Sequence, residues 1–528
     1  MKSHRNRTGL LRLLTPTILC VMGVFLFSAC QRNPQQQQDY KQAQRQPNVI
    51  VIYADDLGYG DLSCYGADQI QTPHIDSLAK EGLRFTNAHS TASTCTPSRY
   101  SILSGEYAFR NKKAKILPGN AALLIPQDQA TLGTVFQKAG YATACVGKWH
   151  VGLGPQGGPD WNGAVKPGPN EVGFDYSFIF PATADRVPTV YVENHNVVAA
   201  DPKDPIEVSY AHKIGDEPTG KENPELLKMH SSHGHDATIV NGIGRIGWMT
   251  GGHRARWTDE ALANDFLAQA QQFITQNKAQ PFFLYYAVNE IHVPRMPDVR
   301  FKGKSSLGYR GDVILEMDYV VGEVMKTLDQ LGLRENTMIV FSSDNGPVLD
   351  DGYVDGAVAM AHGHKPAGPF RGGKYSMFEG GTRVPFIVSW PGTIVPGSSD
   401  ALVSQVDLVA SFAAMNKVAL TQKDAVDSHN VLDALLGHSD TARKTYVEQN
   451  NGGVLAYIAD GWKYIEPHKG KAVMKAVNIE TGFSPKPQLY NLNEDKGEQK
   501  NVADQYPDRV KEMAAALQQV KAAGHSRY

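Results

Sequence analysis

A single cysteine lies in a short polar segment, Thr94–Arg99, which reads Thr-Cys-Thr-Pro-Ser-Arg and leads to Leu103-Ser104-Gly105. Ser, Thr and Pro are typical of turns, and Pro97 fits the first turn of a helix that a threonine caps. The segment therefore predicts an exposed loop that enters a helix. Because a helix N-terminus and the charge of Arg99 both favour an anion, we expect a reactive Cys95 thiol with a lowered pKa. A structural thiol beside a surface arginine is the alternative.

Acidic and amide side chains follow two apolar runs rich in β-branched residues. Asp55 and Asp56 come directly after the run that starts at Asn48, and Asp344 and Asn345 follow a second such run. Open α/β sheets bind ligands outside the carboxyl ends of their strands. Two adjacent carboxylates repel one another unless a cation lies between them, and hard divalent cations prefer oxygen ligands. Asp55 and Asp56 therefore predict a metal site, and a solvated acidic turn is the alternative.

Basic side chains also follow apolar runs or lie in loops. Lys148 and His150 follow the apolar run 141–146, where they suit the oxygens of an anion and a nearby proton transfer. His292 comes soon after another apolar run, and Lys374 lies in a glycine-rich loop. Taken singly, each of these residues is more typical of a surface side chain or a strand-end cap.

The pattern Cys-x-Pro-Ser-Arg with a following Leu-x-Gly resembles the signature of the formylglycine-dependent sulfatases. The other motifs occur in the same order, from Asn48 to about Ala503. The chain is thus similar to type I, arylsulfatase-like enzymes and to bacterial carbohydrate sulfatases. This resemblance implies an alkaline-phosphatase-like fold. It also implies that an export-coupled enzyme oxidises Cys95 to formylglycine (3-oxoalanine), whose hydrated aldehyde attacks the sulfur of a sulfate ester.

The resemblance implies a role for each matched residue. Arg99 would hold the formylglycine hydrate, and His150 would accept its proton when sulfate leaves. Either His292 or Lys374 would protonate the leaving alcohol. The residues that would hold Ca²⁺ are Asp55, Asp56, Asp344 and Asn345 together with the formylglycine from Cys95, and those that would line the sulfate are Lys148, His150, His292 and Lys374.

Residues 155–255 interrupt the alternation of strands and helices with a long segment rich in Gly, Pro and His. Segments of this kind are usually functional or disordered. The run His233-Gly234-His235 could belong to a transition-metal site, but no cysteine or paired spacing supports one. We instead expect a substrate-shaping insertion in which Arg186 contacts an anionic sugar.

The N-terminus has the pattern of an export signal, with a basic start, a short apolar run and then Ser28-Ala29-Cys30. The final cysteine resembles the lipidation site of bacterial lipoproteins. We therefore expect a lipoprotein-type signal peptide over residues 1–30 and a flexible, Gln-rich tether over 31–47. A plain secretory signal cleaved near Ala29 is the alternative. The predicted location is the periplasm or the outer membrane and cell surface of a bacterium, with a lipid anchor.

Length and pattern predict an α/β fold in which a mostly parallel sheet is sandwiched by helices. The 528 residues carry a net charge of -2 with no basic run after the N-terminus, which argues against nucleic acid as a partner. Five cysteines, two of them within the predicted signal, do not form a disulfide framework. We expect a catalytic domain over 48–415 and, over 416–528, a smaller antiparallel sheet with a helix.

These features together predict a sulfatase that hydrolyses sulfate monoesters, with a sulfated carbohydrate as substrate. By resemblance to bacterial carbohydrate sulfatases, 6-O-sulfated galactose or N-acetylgalactosamine is the favoured unit. A formylglycine-generating or sulfatase-maturating enzyme would be a necessary partner. A phosphomonoester or phosphonate hydrolase of the same superfamily and a non-catalytic lipoprotein that binds sulfated glycans are the alternatives.

Overall fold

The computed structural model describes residues 46–527, which belong to one compact unit. The predicted signal peptide, the predicted lipidation site Cys30 and residues 31–45 of the predicted tether lie outside the described residues. Within residues 46–527, no helix is both long and apolar enough to cross a membrane. Cys64, Cys95 and Cys145 are all free thiols.

Twenty-two strands are distributed over one large sheet and several small ones within the described residues. In chain order they are β1 (Asn48–Ala54), β2 (Leu83–Phe85), β3 (Ala88–His89), β4 (Ala142–Lys148), β5 (Tyr176–Phe180), β6 (Val192–Glu193), β7 (Asn196–Val197), β8 (Glu207–Ser209), β9 (Ile239–Val240), β10 (Ile243–Gly244), β11 (Trp248–Thr250), β12 (Phe282–Ala287), β13 (Thr337–Ser343), β14 (Phe386–Ser389), β15 (Gly397–Ser399), β16 (Val403–Ser404), β17 (Thr445–Gln449), β18 (Leu455–Ala459), β19 (Trp462–Ile465), β20 (Val473–Met474), β21 (Ile479–Glu480) and β22 (Gln488–Asn491).

Nine α-helices accompany these strands in the described part of the chain. They are α1 (Pro73–Lys80), α2 (Cys95–Ser104), α3 (Leu132–Lys138), α4 (Leu262–Gln276), α5 (Gly308–Gln330), α6 (Glu379–Thr382), α7 (Leu408–Met415), α8 (Leu432–Leu435) and α9 (Pro507–Ala523).

The large sheet has ten strands in the order β15-β2-β14-β13-β1-β12-β4-β5-β6-β7. Its five middle strands, from β13 to β5, pair in parallel, whereas β14 and β6 run antiparallel to their neighbours. Every residue of β1 is buried, as expected of a parallel strand covered on both faces. The predicted fold class is confirmed.

The two faces of the sheet bury separate apolar clusters. Val49 and Val51 of β1 point into a cluster that includes residues of α2, α3 and α7, and Ile50 and Ile52 point into a second one with α1, α4 and α5. Because side chains alternate along a strand, one apolar run can supply both layers. The carboxyl ends of the parallel strands therefore share one rigid edge, and the polar residues beyond them are held there.

The C-terminal part contains the predicted small antiparallel sheet. Its strands lie in the order β17-β18-β19-β22, and α9 packs against them through Met513 and Leu517. Asp460 and Gly461 both have positive φ at the tight turn between β18 and β19, which matches the Asp-Gly hairpin signal. The division into domains at residues 415 and 416 stays a prediction.

A buried charged cluster ties this small sheet to α6. The Nζ atom of Lys463 lies 3.1 Å from Glu379, 2.5 Å from Glu448 and 3.2 Å from Glu498, and all four side chains are fully buried. Burial lowers the pKa of Lys463, but the surrounding carboxylates outweigh burial and raise it. His89, Glu379 and Glu448 could together ligate a metal ion, but the ammonium of Lys463 already contacts both carboxylates.

We expect Lys463→Met to destabilise the fold by about 3–5 kcal/mol, because it leaves buried carboxylates without a cation. Without the ammonium, these carboxyl groups would have higher pKa values in the folded than in the unfolded state. The loss of stability should therefore be larger at pH 8 than at pH 5. Urea unfolding at both pH values measures it. Lys521→Met, which removes a half-exposed partner of Glu466, is the matched control and should cost less than about 1 kcal/mol. Equal costs for the two variants would contradict the prediction.

Candidate active site

Cys95 is the first residue of α2, so the predicted helix starts where the sequence indicates. The prediction of an exposed loop is wrong, because every residue of α2 and the preceding Ser93 and Thr94 are buried. Hydrogen bonds to residues outside the helix hold its first turn. Thr96 Oγ1 donates to the carbonyl of His150 at 2.9 Å, and Ser98 Oγ donates to the carbonyl of Ala92 at 2.8 Å. The polar side chains that suggested a surface turn therefore satisfy buried backbone groups instead.

The expectation of a lowered thiol pKa at Cys95 is also wrong. Burial raises the pKa of this thiol to about 12, and the nearby Lys148 and Lys374 offset only part of that effect. Both lysines are themselves engaged by carboxylates, so little of their charge is available to a thiolate. An unmodified Cys95 would therefore remain a protonated thiol and a poor nucleophile at neutral pH.

The four predicted oxygen-bearing residues meet at the carboxyl ends of two neighbouring strands. Ala54 of β1 pairs with Ser343 of β13, so Asp55 and Asp56 leave the sheet beside Asp344 and Asn345. The Asp56 amide donates to Asp344 Oδ1 at 3.2 Å, and the Asn345 amide nitrogen donates to Asp56 Oδ1 at 2.8 Å. Asp56 adopts a φ of 61°, a left-handed conformation that is uncommon for residues other than glycine but is more frequent for Asp and Asn.

These residues have the ligand atoms of a metal site. One atom each from Asp55, Asp56, Cys95 and His292 lies within 4.8 Å of the others. The Oδ1 atoms of Asp55 and Asn345 are buried and accept no hydrogen bond within residues 46–527. Buried carboxylate and amide oxygens without donors are costly unless a cation uses them. The donor set therefore fits a hard divalent cation.

Three cationic side chains surround the carboxylates. Arg99 Nε and Nη2 each lie 2.9 Å from Asp344 Oδ2, and Lys148 pairs closely with Asp55. Lys374 Nζ lies 2.8 Å from Asp56 Oδ2. Burial lowers the pKa of Arg99 and of Lys374, but their carboxylate partners outweigh burial and raise both values. Arg99 and Lys374 therefore stay protonated close to Cys95, each paired with a carboxylate.

The two predicted histidines have definite tautomers. His150 Nε2 faces the carbonyl of Leu117 at 3.0 Å, and His292 Nδ1 faces the carbonyl of Val293 at 2.7 Å. A carbonyl only accepts, so each facing nitrogen carries the proton and the other ring nitrogen is free to accept one. His150 Nδ1 has no hydrogen-bond partner within the described residues, and His292 Nε2 lies 3.7 Å from Asp56 Oδ2. Burial lowers the pKa of both rings.

A cavity of about 240 Å³, hereafter the catalytic cavity, is lined in part by residues of this site. Cys95, His292 and Lys374 line this cavity together with residues of the insertion, among them Arg186 and His235. Arg186 Nη1 donates to Thr183 Oγ1 at 2.6 Å and to Asp185 at 2.9 Å. The insertion predicted to shape the substrate site therefore forms a wall of the same cavity. The further lining residues are Ile116, Asp185, His233, Ile246, Asp351, Tyr375, Asn451, Met474, Ala476 and Val477.

The sequence interpretation missed an acid beside Lys374. Asp351 Oδ2 lies 2.7 Å from Lys374 Nζ, and Asp351 Oδ1 accepts the hydroxyl hydrogen of Tyr375 at 2.9 Å. Asp185 was also missed; its carboxylate contacts Arg186 and lies 2.9 Å from His235 Nε2. The available signal was an acidic pair at Asp350-Asp351 and an Asp-Arg pair at Asp185-Arg186, both in segments without periodicity.

Comparisons with known proteins identify the family of this chain. The sulfatase family model matches residues 47–416. An N-acetylgalactosamine-6-O-sulfatase of Bacteroides thetaiotaomicron is 51% identical over 499 residues, which cover 94% of this chain and 97% of that protein. Human arylsulfatase A is 32% identical over 492 residues, which cover 90% of this chain and 87% of that protein.

Solved structures show the same likeness. One, from work on the metabolism of multiple glycosaminoglycans by Bacteroides thetaiotaomicron, has a TM-score of 0.90 and 52% identity, over 90% of this chain and 100% of that one. A sulfatase from Pseudoalteromonas sp. has a TM-score of 0.68 and 25% identity, over 94% and 96% of the two chains. The chain therefore belongs to the sulfatase family and is a sulfuric ester hydrolase.

Proposed function

We propose that this sulfatase removes sulfate from O6 of a galactose or N-acetylgalactosamine unit of a carbohydrate. The main support is the catalytic cavity, where Cys95 and Lys374 face Arg186 and His235 of the insertion. Its volume of about 240 Å³ suits one sugar unit rather than a long chain. The 51% identity to an N-acetylgalactosamine-6-O-sulfatase supports the same position and the same hexosamine.

The proposed metal is Ca²⁺, held by Asp55, Asp56, Asp344 and Asn345 and by the side chain at position 95. Calcium accepts six to eight oxygen ligands in flexible geometry, which suits carboxylates that follow two different strands. The unpartnered oxygens of Asp55 and Asn345 support this assignment. When bound, the ion supplies fixed positive charge that polarises the sulfate and the nucleophile.

The proposed nucleophile requires a modification of Cys95 to formylglycine by a formylglycine-generating or sulfatase-maturating enzyme. The hydrated aldehyde supplies an oxygen nucleophile for the sulfur atom. The high pKa of the thiol supports a modified side chain over thiolate catalysis. Only 2% of Cys95 is exposed in the fold, which agrees with conversion before folding is complete, during export.

Arg99, Lys148 and Lys374 would balance the charge of the sulfate ester. Each of them is already bonded to a carboxylate of the proposed metal site. Their positions are therefore set before substrate arrives, and little side-chain entropy is lost when it binds. Arg99 would hold the hydrated side chain at position 95, while Lys148 and Lys374 would contact the sulfate oxygens.

The two histidines would take part in different proton transfers. His150 offers an unpartnered Nδ1 atom and would accept the proton of the hydrated side chain at position 95 when sulfate leaves. His292 and Lys374 both line the catalytic cavity, and one of them would donate a proton to the leaving alcohol. Both neutral rings are held by carbonyl groups, so their free nitrogens keep a fixed direction.

Export and anchoring complete the proposal. The signal pattern and the Cys30 lipidation site support a periplasmic or cell-surface lipoprotein. The Gln-rich segment that follows Cys30 would let the enzyme reach its substrate from a membrane surface.

The decisive experiment is desulfation of defined sugars by the matured enzyme, read as released sulfate. We expect 6-O-sulfated N-acetylgalactosamine and galactose to be hydrolysed, with kcat/KM at least about tenfold above that of the 4-O- and 2-O-sulfated isomers. Aryl phosphate tests the rival phosphomonoester activity. Faster turnover of aryl phosphate than of aryl sulfate, or a preference for another sulfate position, would refute the proposal.

A second arm of this experiment addresses Arg186. Because Arg186 lies in the insertion wall of the cavity, we expect Arg186→Ala to raise KM for the sulfated sugar while turnover of a small aryl sulfate changes little. An equal loss on both substrates would show that Arg186 supports the fold of the site rather than the sugar.

A further inference from the structure

A second and larger cavity lies beside the catalytic cavity. It has a volume of about 710 Å³ and is lined by residues 347–350, 364–372 and 475–479 together with Val358 and Gln499. We call it the hairpin pocket, because the turn between β20 and β21 forms one side of it. This volume falls within the range of cavities that bind ligands of more than one ring.

The two cavities share a wall. Ala476 and Val477 line both of them, so the hairpin turn separates one from the other. On a second segment, Asp350 lines the hairpin pocket and the adjacent Asp351 lines the catalytic cavity. The two cavities therefore lie on either side of the hairpin turn.

The hairpin pocket is built from the same loops as the active site. Pro347 and Val348 follow Asp344-Asn345 closely, and the Pro347 carbonyl accepts the amide hydrogen of Lys374 at 2.9 Å. The opposite wall, at Lys365 and Pro366, lies so close to Gly58 and Gly60 that a Cβ on either glycine would come within 2.2 Å of a carbonyl oxygen. The pocket is therefore held at a constant position relative to the proposed metal ligands.

Two lysines of the hairpin pocket have no ion-pair partner in the described part of the chain. Lys365 and Lys475 are exposed lining residues, and neither forms an ion pair within residues 46–527. Among the other ionisable lining groups, Arg371 is paired with Glu480 at 2.6 Å and His364 Nε2 lies 2.8 Å from Asp61 Oδ1. Asp350, the acidic residue of the lining, accepts a hydrogen bond from Ser232 Oγ at 2.6 Å. The two lysines are thus available to an anionic ligand.

The remaining lining is mostly apolar, with Val348, Pro369 and Phe370 in the walls and Val358 61% exposed. Apolar walls with a few well-placed polar groups are typical of small-molecule sites. A sugar ring has apolar C–H faces, and a uronate or a second sulfate on it supplies the anion. The pocket therefore matches an anionic sugar better than a neutral one.

We propose that the hairpin pocket binds an anionic sugar unit next to the sulfated unit of an oligosaccharide, with Lys365 and Lys475 contacting its carboxylate or sulfate. This inference rests on the proposed carbohydrate sulfatase function. It makes an acidic oligosaccharide, rather than a free sulfated monosaccharide, the preferred substrate.

The test uses full-length matured enzyme and four substrates that share a 6-O-sulfated N-acetylgalactosamine unit. They are the free monosaccharide and disaccharides whose second unit is neutral, carboxylated or sulfated. We expect Lys365→Ser/Lys475→Ser to lower kcat/KM about tenfold on an anionic disaccharide, mainly through KM, and to leave the monosaccharide unchanged. The carboxylated and sulfated arms identify which anion is recognised. The matched control is Lys469→Ser/Lys471→Ser, which removes the same charge from exposed lysines outside the pocket.

Several outcomes would overturn the inference. The first is an equal loss of kcat/KM on the monosaccharide, and the second is an equal loss of kcat/KM in the control variant. The third is that the matured enzyme without substitutions shows no preference for an anionic disaccharide. If the monosaccharide is hydrolysed in these cases, the proposed function stands and only the pocket assignment fails. If no 6-O-sulfated substrate is hydrolysed at all, the proposed function fails and the inference fails with it.

Discussion

Replacing Cys95 with alanine is expected to abolish sulfate-ester hydrolysis, lowering kcat/KM by at least about 10⁴-fold. Alanine cannot be oxidised to an aldehyde, so no oxygen nucleophile forms at the start of α2. The fold should persist, because Cys95 Sγ makes no hydrogen bond with another described residue and alanine suits a helix start within the buried turn. Activity on an aryl sulfate and peptide mass spectrometry of residue 95 measure the outcome.

Cys145 provides the matched control for this variant. It is a buried free thiol in β4, away from the catalytic cavity, and Cys145→Ala should retain most of the activity. Peptides from active enzyme should carry the aldehyde at residue 95 and an unchanged thiol at residue 145. Full activity of Cys95→Ala, or active enzyme whose Cys95 is entirely a thiol, would refute the formylglycine mechanism.

Asp344→Asn is expected to remove the bound metal and to lower turnover on the order of 10³-fold or more. Asp344 has three partners in the site: Oδ2 accepts from Arg99, Oδ1 accepts from the Asp56 amide, and Lys148 Nζ lies 3.9 Å away. The asparagine side chain has the same shape but only one oxygen atom and no negative charge, so it offers half as many oxygen ligands as Asp344. Elemental analysis should show one equivalent of calcium fewer per chain.

A second buried Arg–Asp pair separates this effect from the general cost of losing an ion pair. Asp427 accepts two hydrogen bonds from Arg110, both at 2.7 Å, and lies outside the catalytic cavity. Asp427→Asn should lower the unfolding temperature without changing metal content or turnover per folded molecule. Retention of the metal by Asp344→Asn would contradict the assigned ligand set.

The strand-end residues were predictable because strong local patterns precede them. The apolar runs before Asp55 and Asp344 indicated buried parallel strands, and parallel strands place their carboxyl ends at one edge. Lys148 and His150 follow β4 in the same way. The residues that were missed, Asp351 and Asp185, come from loops whose paths follow no periodicity. Their proximity to Lys374 and Arg186 is set by contacts between segments far apart in sequence.

By itself, the sequence determined the fold class, the sulfatase signature and the order of the motifs along the chain. These are local properties, because hydrophobic periodicity and short motifs are encoded within a few residues. Only the tertiary structure decided that the Cys95 segment is buried and that its thiol pKa is raised, because desolvation depends on everything packed around the side chain. It likewise decided which carboxylate each cation meets and that the hairpin turn divides two cavities, since both result from distant segments meeting at one edge of the sheet.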